Sequence, residues 1–217
     1  IVMPPPVGEK IAIAGHVWIV EEVDHKRHLV YCEQVRGKVP AYFGQCPGDI
    51  NTRVLERMQR VLAEDKIYPY LMKNALGRLY EARSLARLGG VTTEPLINLG
   101  GDMWCLFPWL GTYAFLALER FLKLKCAKEL GLTALDPARP YFIQFKMKAS
   151  REEFFRVLKD REKQPLDPME LVYPGEVPLF EKYDEFIPPE LVRKGFAYGI
   201  LAIDEMKSRI RGWEIRP

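Results

Sequence analysis

Three histidines are the first residues to test for chemistry, because imidazole serves both as a metal ligand and as a general base. They are His16, His25 and His28, and the last two follow Asp24 in the pattern Asp-His-x-x-His. That spacing can hold part of a metal site, but no further cysteine or histidine lies at ligand spacing to complete a tetrahedral set. We therefore interpret the segment as an exposed turn and predict no metal site.

The four cysteines are scattered along the chain, at Cys32, Cys46, Cys105 and Cys126. They form no Cys-x-x-Cys pair, and Cys32 and Cys105 fall within apparent strands, where a reduced cysteine behaves as a small hydrophobe. No histidine follows Cys105, so thiol catalysis has little support. This pattern predicts a reducing, cytoplasmic compartment without a disulfide framework.

Motifs for phosphate binding and acyl transfer are missing from the sequence. It has no Walker A loop, no Gly-rich dinucleotide fingerprint and no Gly-x-Ser-x-Gly elbow. Asp102, in the same segment as Trp104 and Trp109, would acquire a raised pKa if it were buried, but closing a turn is its simpler role. We expect no catalytic residue and no cofactor in this chain. A further hypothesis is an independent enzyme with its site in the second half of the chain.

Positive charge is concentrated in the first half of the chain, although the net charge is only +3. Residues 26–87 carry 12 lysines and arginines against 6 aspartates and glutamates, whereas residues 151–217 carry 12 against 14. A polyanion would dock on such a basic excess, and a merely solvated basic face is the alternative. The candidate nucleic-acid contacts are Lys26, Arg27, Arg36, Lys38, Arg53, Arg57, Arg60, Lys146 and Lys148.

The first of these side chains belong to a predicted β-meander, curled like a small barrel. Short runs rich in Val, Ile, Tyr and Trp alternate with turns, as in closely spaced antiparallel strands. The turns carry Lys26, Arg27, Arg36 and Lys38. The predicted strands are Ile11–Ile13, Val17–Val23, Leu29–Gln34 and Val39–Phe43.

A pair of amphipathic helices is predicted next, ending at Gly89-Gly90. Apolar residues of the first helix recur at helical spacing. Arg53, Arg57 and Arg60 lie off this stripe at i, i+4 and i+7, so they can line one outer face. Arg83 is expected to decorate the outside of the second helix. An antiparallel pair with solvated arginines is the alternative.

The densest apolar material lies between Asn98 and Thr112. It predicts a Gly-Gly-Asp turn, a buried strand over 103–107 and a helix that is capped by Thr112 and ends near Gly131. Trp104 and Trp109 lie on either side of Pro108 and form a candidate interaction surface.

The rest of the chain predicts a loop over 136–140, a half-buried strand over 141–149, a helix capped by Ser150 and a helical tail. Lys146 and Lys148 lie on the outer face of that strand. The whole is an α+β protein: a meander, a helix pair, then a β-β-α-β-α unit with a helical tail. The break at Gly89-Gly90 predicts domains 1–90 and 91–217, with one compact domain as the alternative.

The ends of the sequence and its hydropathy indicate what kind of protein the chain comes from. No apolar run is long enough to cross a membrane, and the start does not match a signal peptide. Residue 1 is not methionine. We expect a piece of a longer, non-membrane protein.

The opening third resembles a known segment of larger enzymes. The stretch GHVWIVEEVDHKRHLVYCEQVRGKVPAYFGQCPGDINTRVLERMQRVL is similar to the segment that follows the motor lobes and winged helix in Lhr-like superfamily 2 helicases. YLMKNALGRLYEARSLA and the tail KYDEFIPPELVRKGFAYGILAIDEMKSRI resemble later helices of such enzymes. The matching features are Trp18, Val23-Asp24, Gly37 with Pro40, Phe43-Gly44 and the helix through Met58.

This resemblance implies the C-terminal accessory part of an ATP-dependent DEAD/DEAH-box helicase. Its partners would be single-stranded DNA or RNA and the motor lobes of the same parent chain. ATP and Mg²⁺ would belong to those lobes, because this chain has neither a Walker A loop nor a DEAD box. The alternative is a protein-interaction or scaffold domain without nucleic-acid contact, in which Trp104 and Trp109 would touch a partner.

Overall fold

Among the described elements, three strands come first, then two helices, and then pairs of strands separated by helices, so the α+β prediction is confirmed. The computed structural model describes residues 5–13, 16–37 and 49–213. Its contacts divide the chain into two units, Ile1–Gly48 and Asp49–Pro217. The boundary predicted at Gly89-Gly90 lies inside the second unit, which therefore includes the helix pair.

The described residues of the first unit form an antiparallel sheet with the order β1-β2-β3. A bulge between Val20 and Glu22 shifts the register between β2 and β3. Val20 is the one buried side chain in the described part of this unit. The fourth predicted strand, Val39–Phe43, lies outside the described residues, and the three strands described form an open sheet. They are β1 (Lys10–Ile13), β2 (His16–Asp24) and β3 (Leu29–Val35).

The second unit begins with the predicted helix pair, α1 (Thr52–Ala63) and α2 (Lys73–Leu88). The Asn51 side chain caps α1 by accepting a hydrogen bond from Arg53 N at 3.0 Å. Each helix buries two side chains, Thr52 and Leu55 on α1 and Arg83 and Ala86 on α2. The pair is therefore anchored through a few positions on each helix.

A four-stranded antiparallel sheet follows, with the order β4-β5-β7-β6. The second half of β6 (Thr133–Ala138) lies in the loop predicted over 136–140, where Asp136 and Pro137 favour a turn. Strand β6 is the edge strand of this sheet, where a proline that donates no ladder hydrogen bond is tolerated, so the β-β-α-β-α prediction lacked one strand. The four strands are β4 (Leu96–Gly100), β5 (Met103–Leu106), β6 (Thr133–Ala138) and β7 (Phe142–Lys146).

One long apolar helix crosses the core of this unit. Helix α3 (Thr112–Phe121) continues through a π-helical turn (Leu122–Cys126) into α4 (Ala127–Leu130). Gly131, with φ 61°, ends it in the left-handed conformation, as its position predicted. Its buried side chains pack on β5 and β7 and on the later helices. The largest are Phe115, Leu118, Phe121, Leu122 and Leu130.

The last helices cover the other side of this core. Ser150 caps α5 (Arg151–Glu162) as predicted, accepting from Glu153 N at 3.2 Å. After an irregular segment come α6 (Pro189–Gly195) and α7 (Ile203–Gly212), joined by a second π-helical turn, Phe196–Ile200. The irregular segment also forms two short 3-10 turns, Pro168–Leu171 and Asp184–Phe186.

Arg120 ties the irregular segment to α3. It is only 6% exposed, and its guanidinium lies 4.5 Å from the ring centre of Tyr173 and 4.7 Å from that of Phe196. Its two terminal nitrogens donate to the Glu176 carboxylate at 2.6 and 2.7 Å. The hydrogen bond from Arg120 is the main cause that lowers the pKa of Glu176. A buried arginine thus holds a segment without regular structure in place.

Candidate functional site

The N-terminus of α1 is fixed by reciprocal hydrogen bonds with the start of α3. The Thr52 hydroxyl accepts from Gly111 N at 2.6 Å, and the Thr112 hydroxyl accepts from Ile50 N at 3.0 Å. Backbone N–H groups at helix starts have no acceptor within the helix, so each segment satisfies groups of the other. Thr112, predicted to be the cap of α3, is its first residue, and Gly111 occupies the cap position.

Gly111 permits this close approach. A Cβ added there would lie 2.3 Å from Ile50 O and 2.6 Å from Thr52 N. Both are backbone atoms that cannot move aside, so only glycine fits without shifting α1. The position of α1 is therefore set by the core helix on which it rests.

Helix α1 presents the arginine row, which we define as Arg53, Arg57 and Arg60. All three side chains are exposed. Successive residues of an α-helix turn by about 100°, so positions 53, 57 and 60 project within a narrow arc. In the part of the chain that the structure describes, the ion pairs of α1 involve Arg57 and Glu56 but neither Arg53 nor Arg60.

Arg57 is partly occupied by structural partners. It donates to the Tyr68 hydroxyl at 2.7 Å and lies 3.1 Å from Glu64 Oε1. The Tyr68 hydroxyl donates to the same carboxylate, and this hydrogen bond lowers the pKa of Glu64 and raises the pKa of Tyr68. Arg53 and Arg60 are therefore the members of the row that are freer to take up an anion.

Arg83 on α2 does not decorate the outside as predicted. It is 2% exposed and donates to Val61 O at 2.8 Å and to Lys66 O at 3.0 Å. The last carbonyl groups of a helix receive no hydrogen bond from an N–H group of the same helix. A cation also suits the negative, C-terminal end of the helix dipole. Arg83 therefore joins α2 to the end of α1. The prediction was wrong because the helical spacing of α2 does not show which carbonyls face it.

The hairpin between β2 and β3 presents Lys26 and Arg27, which are both exposed. Asp24 Oδ1 accepts from the backbone N–H of each at 3.0 Å and so closes the turn. Asp24 Oδ2 also lies 3.8 Å from Arg27 Nε and offsets part of its charge. Arg36 is exposed after β3, and Lys38 lies outside the described residues.

The charge balance of the first unit does not favour its sheet as a phosphate-binding surface. Its described residues carry four lysines and arginines against five aspartates and glutamates. Tyr31 is 45% exposed, but Glu22 lies directly opposite it on β2. Residues 52–88, which span the helix pair, carry eight positive against four negative side chains. Among the described residues, the basic excess therefore lies in the helix pair and not in the sheet of the first unit.

Lys146 and Lys148 are exposed, as predicted, but they are not near the start of α1. Lys146 pairs with Met103, the first residue of β5. From Met103 the chain runs through β5 to Gly111, which contacts the start of α1. The methylene groups of Lys148 lie beside Gly131. These lysines and the N-terminal part of the arginine row are therefore at opposite ends of β5.

The two tryptophans of the predicted interaction surface are not freely presented. Trp109 is only 6% exposed and stacks on Phe107 with ring centres 6.4 Å apart. Trp104 is half-buried and packs on the core. Trp109 also has a left-handed backbone, with φ 53°, which is unusual for a bulky residue. Burial leaves the Trp109 ring almost no surface to offer a partner.

A polar cleft of about 320 Å³ opens beside α1. It lies between α1, the segment that leads into β4, and α7. Arg209 of α7 lines the cleft and donates to Glu56 at 2.6 Å and to Trp109 O at 3.2 Å. No pattern along the chain predicts this cleft, because Arg209 and Glu56 are 153 residues apart. The cleft adjoins the arginine row, and Gln59, Thr93 and Glu94 also line it.

Cys105, Cys126, His25, His28 and Asp102, the residues first considered for catalysis, are not among those that line this cleft. Burial raises the pKa of Cys105 to about 11 and the pKa of Cys126 to about 12, so both thiols stay neutral and unreactive near neutral pH. His25, His28 and Asp102 are exposed in turns. Within residues 5–13, 16–37 and 49–213, no three histidine, cysteine or acidic side chains are grouped to hold a metal ion.

Comparisons with known proteins leave the family of the chain open. No protein-family model matches it, and neither the curated proteins nor the solved structures give a match. Among the helices that the structure describes, none is both long enough and apolar enough to cross a membrane.

Proposed function

We propose that this chain is a non-catalytic accessory module of an ATP-dependent DEAD/DEAH-box helicase, and that it binds single-stranded DNA or RNA along the arginine row. Two things support this: the resemblance of the opening third to Lhr-like helicases and the exposed arginines of α1. ATP and Mg²⁺ would be bound by the motor lobes of the parent chain, on which this module would pack. The free thiols of Cys32, Cys105 and Cys126 fit a cytoplasmic setting.

The single observation that carries the proposal is the exposure of Arg53 and Arg60 on a helix whose position is fixed. Guanidinium groups donate in a planar fork that matches phosphate oxygens. Since α1 is held by hydrogen bonds with the start of α3, its backbone needs no ordering when an anion binds. The same helix presents its positive dipole end near Arg53. Together these features suit a chain of phosphates.

The test is fluorescence anisotropy of a labelled single-stranded oligonucleotide. We expect binding that weakens steeply between about 50 mM and about 200 mM salt, because counterions are released from the strand. Replacing Arg53 and Arg60 together by alanine should weaken binding at low salt by roughly 5- to 20-fold. The control is the single variant Arg156→Ala, which removes an exposed arginine that pairs with Glu153 and Asp160 on α5. Equal loss in both variants, or no loss in either, would show that the arginine row is not the contact surface.

A group of exposed apolar side chains around α2 supports the scaffold alternative. Leu85 and Leu88 are 69% and 85% exposed, and Met72 is 78% exposed. Such residues often mark an interface with another protein. If they serve this role, Leu85→Ser with Leu88→Ser should leave the melting temperature unchanged and weaken binding to purified motor lobes of the parent. Unchanged affinity for the lobes would remove this candidate.

A further inference from the structure

The irregular segment before α6 presents large apolar side chains to solvent. We define residues 177–191 as the acidic loop. Leu179, Tyr183 and Phe186 of this loop are 63%, 62% and 76% exposed. Large apolar and aromatic side chains that are grouped on a surface mark sites of contact with other molecules, and aromatic residues are enriched in protein interfaces. The acidic loop is therefore a candidate docking surface.

The backbone of the acidic loop is fixed although it contains little regular structure. The Asp184 carboxylate is buried, and its Oδ2 accepts from Phe180 N and Glu181 N at 2.8 Å each. The Phe180 ring lies against the core, with its centre 6.0 Å from that of Phe196. Val192, directly after the loop, is 2% exposed. The exposed rings therefore project from a backbone that needs no ordering when a partner binds.

The charge of the acidic loop indicates what kind of partner suits it. Residues 177–191 carry four acidic side chains against one lysine, Lys182, a net charge of −3. Glu181, Glu185 and Glu190 are exposed. The ion pairs that the structure describes near this segment, such as that of Arg120 with Glu176, include none of these three carboxylates. Such a surface repels nucleic acid and anionic lipid and favours a basic, apolar partner.

A surface of that composition lies elsewhere on the same chain, at the connection between α1 and α2. We define residues 66–73 as the basic loop. It contains Lys66 and Lys73 and no acidic residue, a net charge of +2. Both lysines are exposed, and the ion pairs that flank the loop involve neither of them. Three large apolar side chains of the loop are 60%, 77% and 78% exposed: Ile67, Tyr70 and Met72.

The basic loop is also held in place. Tyr68 is 7% exposed, and its hydroxyl donates to the carboxylate of Glu64 and accepts from Arg57 at 2.7 Å. The buried Arg83 donates to Lys66 O at 3.0 Å. These contacts fix the backbone of the loop while its lysines and its three apolar side chains face solvent. The two loops are therefore fixed surfaces of opposite charge.

We propose that the acidic loop of one copy docks on the basic loop of a second copy of this chain. Both loops belong to the unit Asp49–Pro217, and both are exposed within one copy, so they do not cover each other there. Contact between copies would bury apolar side chains from both loops and bring the unpaired carboxylates to the unpaired lysines. This association goes beyond the proposed function and does not depend on nucleic acid.

The first test is analytical ultracentrifugation of the chain without nucleic acid. Between about 1 µM and about 200 µM, a span that covers weak affinities, we expect the average mass to rise above that of the monomer. The rise should be smaller at about 500 mM salt than at about 50 mM, because salt screens the attraction between exposed charges. A chain that stays monomeric over the whole range overturns the proposal.

Charge reversal in either loop tests which surfaces meet. The acidic-loop variant carries Glu181→Lys and Glu185→Lys, and the basic-loop variant carries Lys66→Glu and Lys73→Glu. Each brings like charges together, so association should weaken at least about tenfold. The matched control, Glu21→Lys with Glu22→Lys, changes the net charge as the acidic-loop variant does, at exposed positions of β2. Loss of association in the control, or its retention in either loop variant, overturns the proposal.

An equal mixture of the two loop variants tests whether the loops bind each other. In the mixture, the unchanged acidic loop of one variant meets the unchanged basic loop of the other, and the two reversed loops also attract. We expect the mixture to associate within about threefold of the wild type, although each variant alone does not. No association in the mixture would mean that the loops contact something other than each other, and would overturn the proposal.

A single substitution covers the case in which a charge-reversed variant does not fold. Circular dichroism melts check the fold of every variant. Phe186→Ser removes an exposed ring without changing any charge, and should weaken association about fivefold or more, because interface aromatics carry a large share of binding energy. Unchanged association of a folded Phe186→Ser chain would also overturn the proposal.

Discussion

The two units of this chain differ in how much apolar surface they bury. In the described strands of the first unit, Val20 is the one buried side chain, whereas the second unit has a continuous core built on rings such as Phe115, Phe145 and Phe154. Stability follows the apolar area removed from water, and a small sheet without such a core is marginal by itself. The second unit is thus the stable base, and the arginine row is fixed to it.

The largest expected effect is on the core of the second unit. Phe115 is 0% exposed, so Phe115→Ala should lower the free energy of unfolding by about 3–5 kcal/mol through lost contacts and a cavity. Val20→Ala in the first unit removes two methyl groups and should cost only about 1–2 kcal/mol. Urea unfolding followed by circular dichroism measures both. A larger loss for Val20→Ala would reverse the comparison between the units.

The next largest loss of stability is expected from breaking the buried pair of Arg120 and Glu176. Glu176→Ala leaves the Arg120 guanidinium buried without its carboxylate and should destabilise the second unit by roughly 2–4 kcal/mol. Because the pKa of Glu176 is lowered in the fold, its stabilisation is fully present above the unfolded pKa, about 4.3, and is lost as the pH falls through the folded value.

Glu176→Gln tests that pH dependence. Thermal melts of the wild type and of this variant should differ most near neutral pH and converge well below about pH 4. A difference that persists unchanged in acid would mean that the charge on Glu176 is not what stabilises the fold.

Substituting two glycines by alanine tests how tight the contact between α1 and α3 is. Gly111→Ala places a Cβ against backbone atoms of the segment that begins α1 and should cost about 1–3 kcal/mol. Gly77→Ala, in the middle of α2 with no atom near its Cβ position, should stabilise by about 0.5–1 kcal/mol. Chemical denaturation compares the two. Equal effects would show that the close approach at Gly111 is not tight.

Local chemistry predicted much of the fold. Ser150 followed by Glu153 marked the start of α5, Gly131 marked the end of α4, and the alternation of Ile143 and Phe145 with polar neighbours marked β7. These features depend on residues close in sequence. Strand β6 was missed because Asp136 and Pro137 favour turns, and only pairing with β7 at the sheet edge overrides that preference.

The candidate site was predictable only in part, for a similar reason. The spacing of Arg53, Arg57 and Arg60 on one helix specifies their common direction whatever surrounds the helix. The burial of Arg83 and the cleft beside Gln59 depend on which distant segments meet, such as α7 through Arg209. No spacing along the chain carries that information.

The smallest effect on stability is expected at the arginine row. Exposed side chains without ion-pair partners contribute little to the folded state, so replacing Arg53 and Arg60 by alanine should change the free energy of unfolding by less than about 0.5 kcal/mol. Thermal and urea unfolding test this. A loss above about 1 kcal/mol would mean that these arginines support the fold, and any change in binding would then have a different cause.

The most direct test of the central claim is the salt dependence of binding to a single-stranded oligonucleotide. Each phosphate contact adds about 0.7 to the slope of log K against log salt concentration. The variant that lacks Arg53 and Arg60 should therefore show a slope smaller by about 1.4 than that of the wild type, while Arg156→Ala keeps the full slope. Identical slopes in the wild type and the Arg53/Arg60 variant would contradict phosphate binding by the arginine row.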